Sequence, residues 1–289
     1  MAGGEACVAC GAPVEGTAYL RHRAVAIYRC PSCGSMTALP RPATSDQIAF
    51  HDSAQYFDHP YFEDRRISAS AERRCELLLE RLSKAVDPST LRGERHLDIG
   101  CDTGALALTM ARLAGTRPIG IDVAQRAIAK ARGAGIEAHC CSIEHAPGDL
   151  VDLAVITAVD VLEHVVDPAG FLEQVQRRLR PGGVCYIETP NIASLVFLVG
   201  ASLAKVTGGR PAWMFERLFP PEHIQYFSHD GLVRAASSAG LQVVSLDTRV
   251  LPGEDIAASA AVRLPMALLQ LLDRLAGTEI LHCMVARRH

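Results

Sequence analysis

Four cysteines near the start of the chain stand at a metal-binding spacing. Cys7-Val-Ala-Cys10-Gly and Cys30-Pro-Ser-Cys33-Gly are two copies of one pattern, separated by 19 residues. Each Cys-x-x-Cys turn offers two thiolates to one tetrahedral ion, and the following Gly11 and Gly34 let the backbone fold tightly beneath the sulfurs. A redox Cys-x-x-Cys or unconnected thiols are the other readings, but two matched knuckles predict a structural zinc site at Cys7, Cys10, Cys30 and Cys33. Four protein ligands close the coordination sphere, so this ion is expected to hold the segment together rather than to activate water. The other six cysteines lack such pairing and are expected to be core thiols.

A second constellation lies at Arg95-His-Leu-Asp98-Ile-Gly100-Cys101-Asp102-Thr-Gly104, an apolar strand that breaks into a glycine turn before the helical run from Ala105. Strand, glycine turn and helix make a nucleotide-site geometry. Asp122 ends the next apolar run, 18 residues after Gly104, where a carboxylate accepts hydrogen bonds from both ribose hydroxyls. It stands equally where it could cap the helix that follows. A dinucleotide site wants Gly-x-Gly-x-x-Gly, and here Asp102 and Ala105 occupy the second and third glycine positions. A carboxylate in the turn repels pyrophosphate but attracts the sulfonium and ammonium of S-adenosylmethionine.

These residues need elements to position them. The 289 residues are 49% hydrophobic, enough for one full α/β domain plus an appendage. Ala18 to Tyr28 reads as a hairpin between the cysteine pairs. Pro40 to Ser53 suits a linker, and Ile67 to Val86 carries apolar residues at helical spacing. Strand and helix then alternate from Glu94, through helix Pro168 to Leu179 and strand Val184 to Glu188, as a parallel doubly wound sheet requires. The expected divisions are a zinc ribbon over 1–41, a linker and helical lid over 42–93, and the main domain over 94–289. Ile192 to Phe219 is too long and apolar for a plain loop. With Trp213, Met214 and Phe215 it predicts a substrate cap at about 192–220, ordinary helix packing or a dimer contact being the alternatives.

In order and spacing, Leu97 to Gly104, Asp122, Asp152 to Val165, Leu179 to Gly183, Ile187 to Asn191, Pro221 to Ser228 and Ala239 to Val244 resemble the class I S-adenosylmethionine-dependent methyltransferases. The similarity is to the branch acting on small metabolites and sugars. It implies a Rossmann-like doubly wound sheet of seven strands, the last antiparallel. It also implies that Asp98 and the turn of Gly100, Cys101 and Gly104 hold the methionine portion. Asp122 and Val123 would meet the ribose, Ser142 and Ile143 would flank the adenine, and Asp160 would lie at the mouth. Asp102 departs from the family, which usually has glycine there.

On the acceptor side, His164 and His223 both follow carboxyl ends of strands, the edge where open α/β sheets bind ligands. Histidine suits a general base at neutral pH, and a hydrogen-bonded loop histidine is the other reading for each. The expected partner is a small-molecule acceptor such as a sugar, natural product or carrier-bound metabolite. A zinc ribbon ahead of this core also resembles ribosomal RNA base methyltransferases. Charge argues against nucleic acid: the net charge is −3, and residues 1–41 offer Arg21, Arg23, Arg29 and Arg41 against Glu5 and Glu15. A non-catalytic scaffold would be expected to lose Gly100, Gly104 or Asp122, and all three are present. The residues from Met1 lack the build of a signal peptide and no run reaches the roughly 20 apolar residues of a span. A reducing cytoplasm and no membrane span are expected, with a homodimer allowed.

Overall fold

The computed structural model describes residues 5–14, 16–22, 25–53, 69–208, 216, 218–220, 222–250 and 260–289. Trp213, Met214 and Phe215 of the expected cap lie outside the described residues.

The chain opens with β1 (Leu20–His22), β2 (Val25–Arg29) and β3 (Met36–Leu39), followed by α1 (Thr44–His51) and α2 (Ala69–Leu82). The alternating part comprises β4 (Arg95–Ile99), α3 (Ala105–Ala114), β5 (Arg117–Asp122), α4 (Gln125–Gly133), β6 (Glu137–Cys140), β7 (Leu153–Val159), α5 (Pro168–Arg178) and β8 (Leu179–Pro190). The chain continues through α6 (Leu195–Thr207), β9 (Gln225–Tyr226), α7 (His229–Ser238), β10 (Leu241–Arg249), α8 (Ala260–Ala276) and β11 (Leu281–Arg288).

Seven strands form one sheet in the order β10-β11-β8-β7-β4-β5-β6. The five from β8 to β6 are parallel, and β11 runs antiparallel to both β8 and β10. This is the doubly wound sheet with an antiparallel last strand that the sequence predicts. β7, Leu-Ala-Val-Ile-Thr-Ala-Val, is buried along nearly its whole length because helices cover both faces. Strand order reverses at β4, which pairs with β5 on one side and β7 on the other, and such a switch point opens a crevice at the carboxyl ends.

Local chemistry sets the entries to the flanking helices. Gly104 precedes α3 with φ of 84°, and a Cβ there would stand 2.2 Å from Ile136 Cδ1, so both conformation and space require glycine. Asp167 caps α5 by accepting from Gly170 N, with Pro168 in the first turn.

A second sheet has the order β1-β2-β3-β9. Its first two strands are the hairpin expected between the cysteine pairs, β3 extends it past the second pair, and the fourth is borrowed from much later in the chain. Tyr28, Cys30, Cys33 and Leu39 share one buried cluster with Phe227, Leu232 and the sheet residues Leu97 and Ile156. Leu20, Ile27, Met36 and Ala38 share another with Phe197, Phe219 and Tyr226. Among the described residues, no helix is long and apolar enough to cross a membrane.

Candidate functional site

A cavity of about 470 Å³ lies over the carboxyl ends of β4, β5, β6 and β7. Ile99, Gly100 and Asp102 line it from the first turn, Asp122 to Ala124 from the second, Cys141 to His145 from the third, and Asp160, Val161 and His164 to Asp167 from the fourth. Thr44, Gln47, Ile48 and His51 of α1 close the remaining side.

Carboxylates enter the lining from the first two turns. Asp122 Oδ2 accepts the Asp102 N–H at 3.0 Å, and Oδ1 accepts the Ala124 N–H at 2.9 Å. The carboxylate thus braces the glycine turn and the start of α4 together. Two bonds leave about two of its four lone-pair positions for a ligand. Burial raises its pKa, against the two N–H bonds. Asp102 adopts a left-handed φ of 48°, tolerated by an aspartate where the related turn usually has glycine.

Asp98 sits beneath this turn rather than in the cavity wall, and is 2% exposed. Its Oδ1 accepts from Thr157 Oγ1 at 2.6 Å, and Thr157 lies 2.8 Å from His96 Nε2. Since the threonine proton goes to Asp98, His96 must donate to the threonine oxygen. Burial raises the Asp98 pKa to about 7, with Asp122 and Asp102 adding to it, and burial lowers His96 to about 4. Cys101 and Gly104 also stand outside the lining, Cys101 packing under α4 and Gly104 against Ile136. Gly100, Asp122, Val123, Ser142, Ile143 and Asp160 all line the cavity. Ser142 Oγ lies 3.0 Å from His145 Nδ1.

Histidines enter the lining from the fourth turn and from α1. His164 lines the cavity, and its Nδ1 lies 3.1 Å from the Glu222 carbonyl oxygen. That carbonyl can only accept, so Nδ1 carries the proton and Nε2 holds a lone pair. The His223 ring stacks edge-on behind His164, with centroids 4.7 Å apart, and does not reach the cavity wall. Burial, then the nearby His51, lowers its pKa to about 3. Its Nδ1 has no hydrogen-bond partner among the described residues. Sequence reasoning missed His51, which packs edge-on against His164 at 4.8 Å and lines the cavity. No motif surrounds it, and only the packing of α1 brings it here.

Glu163 is fully buried beside these rings, accepts from Thr189 Oγ1 at 2.9 Å, and has its pKa pushed well up by burial and then by Asp160. Glu163, His164 and His223 present potential ligand atoms within 4.8 Å of one another. Asp160 is anchored through its N–H to the Glu188 carbonyl at 3.0 Å and pairs with Arg74 of α2 at 3.7 Å. Glu188 in turn is gripped at both oxygens by Arg249, at 2.5 and 2.8 Å, and receives the Tyr186 hydroxyl at 2.7 Å.

In the ribbon, Cys7 Sγ lies 3.7 Å from Cys33 Sγ and Cys10 Sγ lies 3.6 Å from Cys30 Sγ, and all four sulfurs fall within 4.8 Å of one another. Four thiolates at about 2.3 Å from a tetrahedral ion would stand about 3.8 Å apart, so the set fits zinc. The N–H groups of Gly11 and Gly34 close the two knuckles onto the carbonyls of Cys7 and Cys30.

Comparison with known proteins gives concordant results. A family model described as a methyltransferase domain matches residues 64–246. A ubiquinone biosynthesis O-methyltransferase of Methylocella silvestris is 36% identical over 146 residues, which cover 47% of this chain and 57% of that protein. One from Albidiferax ferrireducens is 28% identical over 174 residues, 56% of this chain and 69% of that protein. The match thus spans little more than half of the first relative and about two thirds of the second. Magnesium protoporphyrin IX methyltransferase from Synechocystis PCC 6803, solved with bound S-adenosylhomocysteine, superimposes with a TM-score of 0.56 at 12% identity, covering 86% of this chain and all of that one. An S-adenosylmethionine-dependent methyltransferase from Mesorhizobium loti gives 0.51 at 16% identity, covering 78% and 99%. At such identities these two likenesses speak to the fold. The family match extends over more than half of the chain and contains the glycine turn, Asp122, Asp160 and His223. The chain therefore belongs to the methyltransferase domain family and carries the class I S-adenosylmethionine-dependent fold.

Proposed function

We propose that this protein transfers the methyl group of S-adenosylmethionine to a hydroxyl oxygen of a small molecule, an acceptor class suggested by the relatives named for O-methylation in ubiquinone biosynthesis. The observation that carries the proposal is one cavity lined by Asp102 and Asp122 from the first two turns and by His164 from the fourth. When bound, the cofactor supplies a methyl on a sulfonium, displaced in line. Asp98 and Asp102 balance the ammonium and sulfonium charge. Gly100, Cys101 and Gly104 shape the turn that receives the methionine portion. Asp122 and Val123 hold the ribose, and Ser142 and Ile143 flank the adenine. Asp160 stands at the mouth.

His164 Nε2 takes the acceptor proton as the oxygen attacks, and the Glu222 carbonyl stabilises the imidazolium through Nδ1–H. His223 backs the ring of His164 and keeps it upright. A second reading rests on the placement of Glu163, His164 and His223: these three could hold a divalent cation that binds and acidifies the acceptor hydroxyl. Metal stoichiometry separates the two: full turnover with one zinc per chain, held by the ribbon, fits the general base and not a second cation. Cys7, Cys10, Cys30 and Cys33 hold a structural zinc ion.

An RNA substrate is not favoured. Arg41 of the ribbon is already committed to the Ala6 carbonyl at 2.7 Å and to Glu5 at 3.5 Å. The test is incubation with methyl-labelled S-adenosylmethionine and separate pools of hydroxylated aromatic metabolites, sugars and total RNA. Label entering the small-molecule pools as an ether is the expected result. Label confined to RNA would overturn the proposal.

A further inference from the structure

The ribbon does not stand apart from the cavity. Its third strand, β3, pairs antiparallel with β9, matching Met36 to Tyr226 and Thr37 to Gln225. The Ala38 N–H donates to the Ile224 carbonyl at 2.9 Å, and Thr37 Oγ1 donates to Gln225 Oε1 at 3.0 Å. The residue before this pairing is His223. The next link runs to the residue before His164, because the Ile224 N–H donates to the Glu163 carbonyl at 3.0 Å.

Two more ties act on the same segment. Ser228 Oγ donates to the Cys33 carbonyl at 2.5 Å while accepting from Gly231 N, so the second cysteine knuckle is bonded to the cap of α7. Gln47 of α1 donates to the Glu222 carbonyl at 3.2 Å, the same oxygen that fixes the His164 tautomer. α1 follows the ribbon by a few residues and carries His51 into the cavity wall. By contrast, the glycine turn and Asp122 hang from β4 and β5 in the interior of the main sheet, with no hydrogen bond to β1, β2 or β3 among the described residues.

We infer that the four-cysteine ribbon is a positioning element for the acceptor half of the cavity: through β3 and α1 it holds the 222–228 segment, and with it His164, in place. Ribbon integrity is then required for methyl transfer but not for cofactor binding. The inference rests on the reading of the cavity as a methyl-transfer site, and on zinc only for its metal arm. The physical basis is that β9 has two residues and one pairing neighbour. Loosening β3 removes the one strand ladder that fixes the register of β9.

The test uses the full chain and three measurements: zinc content, calorimetric affinity for S-adenosylhomocysteine, and amide hydrogen exchange across residues 222–228. Ala38→Pro removes the N–H given to Ile224 without touching a cysteine, and Thr37→Val is a milder variant should the first fail to fold. In either variant, exchange at Ile224 to Phe227 should quicken at least tenfold while S-adenosylhomocysteine affinity stays within about threefold. Turnover should fall through kcat with little change in the cofactor KM, and removal of zinc by a chelator should reproduce the pattern. Unchanged exchange in both variants, or cofactor affinity lost in parallel with exchange protection, would overturn the inference. An unaltered chain that neither binds S-adenosylhomocysteine nor transfers methyl would instead sink the functional reading, while the exchange data still decide whether the ribbon holds the segment.

Discussion

Replacing Asp122 by alanine separates two jobs that its carboxylate can do. In the free protein it accepts two backbone N–H bonds, from Asp102 and Ala124. Both donor residues line the cavity, and two bonds to a charged acceptor at the low end of about 1.5 kcal/mol each put the stability cost at about 3 kcal/mol. The remaining lone pairs are the ones offered to the ribose. Losing bonds to a charged group there costs about 1.5 to 3 kcal/mol, which is roughly a 10- to 150-fold rise in Kd. Thermal denaturation reads the first quantity and calorimetric titration with S-adenosylhomocysteine the second. Asp122→Asn keeps one acceptor oxygen and should fall between wild type and alanine in both. An alanine variant that melts lower but binds within twofold of wild type would refute the ribose assignment and leave Asp122 as a brace of the turn alone.

Metal analysis of purified protein should find one zinc per chain, and serine at Cys7 or Cys33 should abolish it; absence of zinc from the unaltered chain rejects the assignment. Burial holds Asp98 largely protonated below pH 7, and a cationic ligand favours its ionised form. Cofactor affinity should therefore rise with pH through about 7, by up to tenfold per unit below that point, with release of a proton. Asp98→Asn should bind weakly with a flat profile, and a flat wild-type profile would contradict the linkage. His164→Ala should lose roughly 100- to 10,000-fold in turnover with cofactor affinity nearly unchanged; a loss below tenfold would remove His164 as the base. Arg249→Met strips a buried Glu188 of its partner and should cost about 3 to 5 kcal/mol, most of it recovered in the double variant with Glu188→Leu. Equal losses in the single and double variants would show that packing, not charge, is at stake.

Much of this molecule is legible in its sequence because the signals are local. The two cysteine knuckles, the glycine turn after β4 and Asp122 after β5 each sit within a few residues of the feature that identifies them. Periodicity likewise places the helices and strands from Glu94 onward. His51 escapes such a reading because nothing near Thr44–His51 marks it, and its neighbours in space, His164 and His223, lie far along the chain. The His96–Thr157–Asp98 chain is hidden for the same reason: it joins two strands that only sheet order makes adjacent. That His223 lies behind His164 rather than beside it depends on how β9 is held. No spacing within the 222–228 segment encodes that.

The borrowed fourth strand also sets a timetable. Thr37 and Gln225 meet across 188 residues. A ribosome adding about 5–20 residues per second leaves the first waiting roughly 10–40 s for the second. During that interval the hairpin and its thiols must persist without the strand that completes their sheet, with the apolar face of Leu20, Ile27, Met36 and Ala38 uncovered. Early capture of metal by the nascent hairpin would shelter the cysteines and restrict that face before its cover exists. Zinc-depleted cells should therefore accumulate aggregated chains during synthesis even if mature protein, once assembled, tolerates mild chelation.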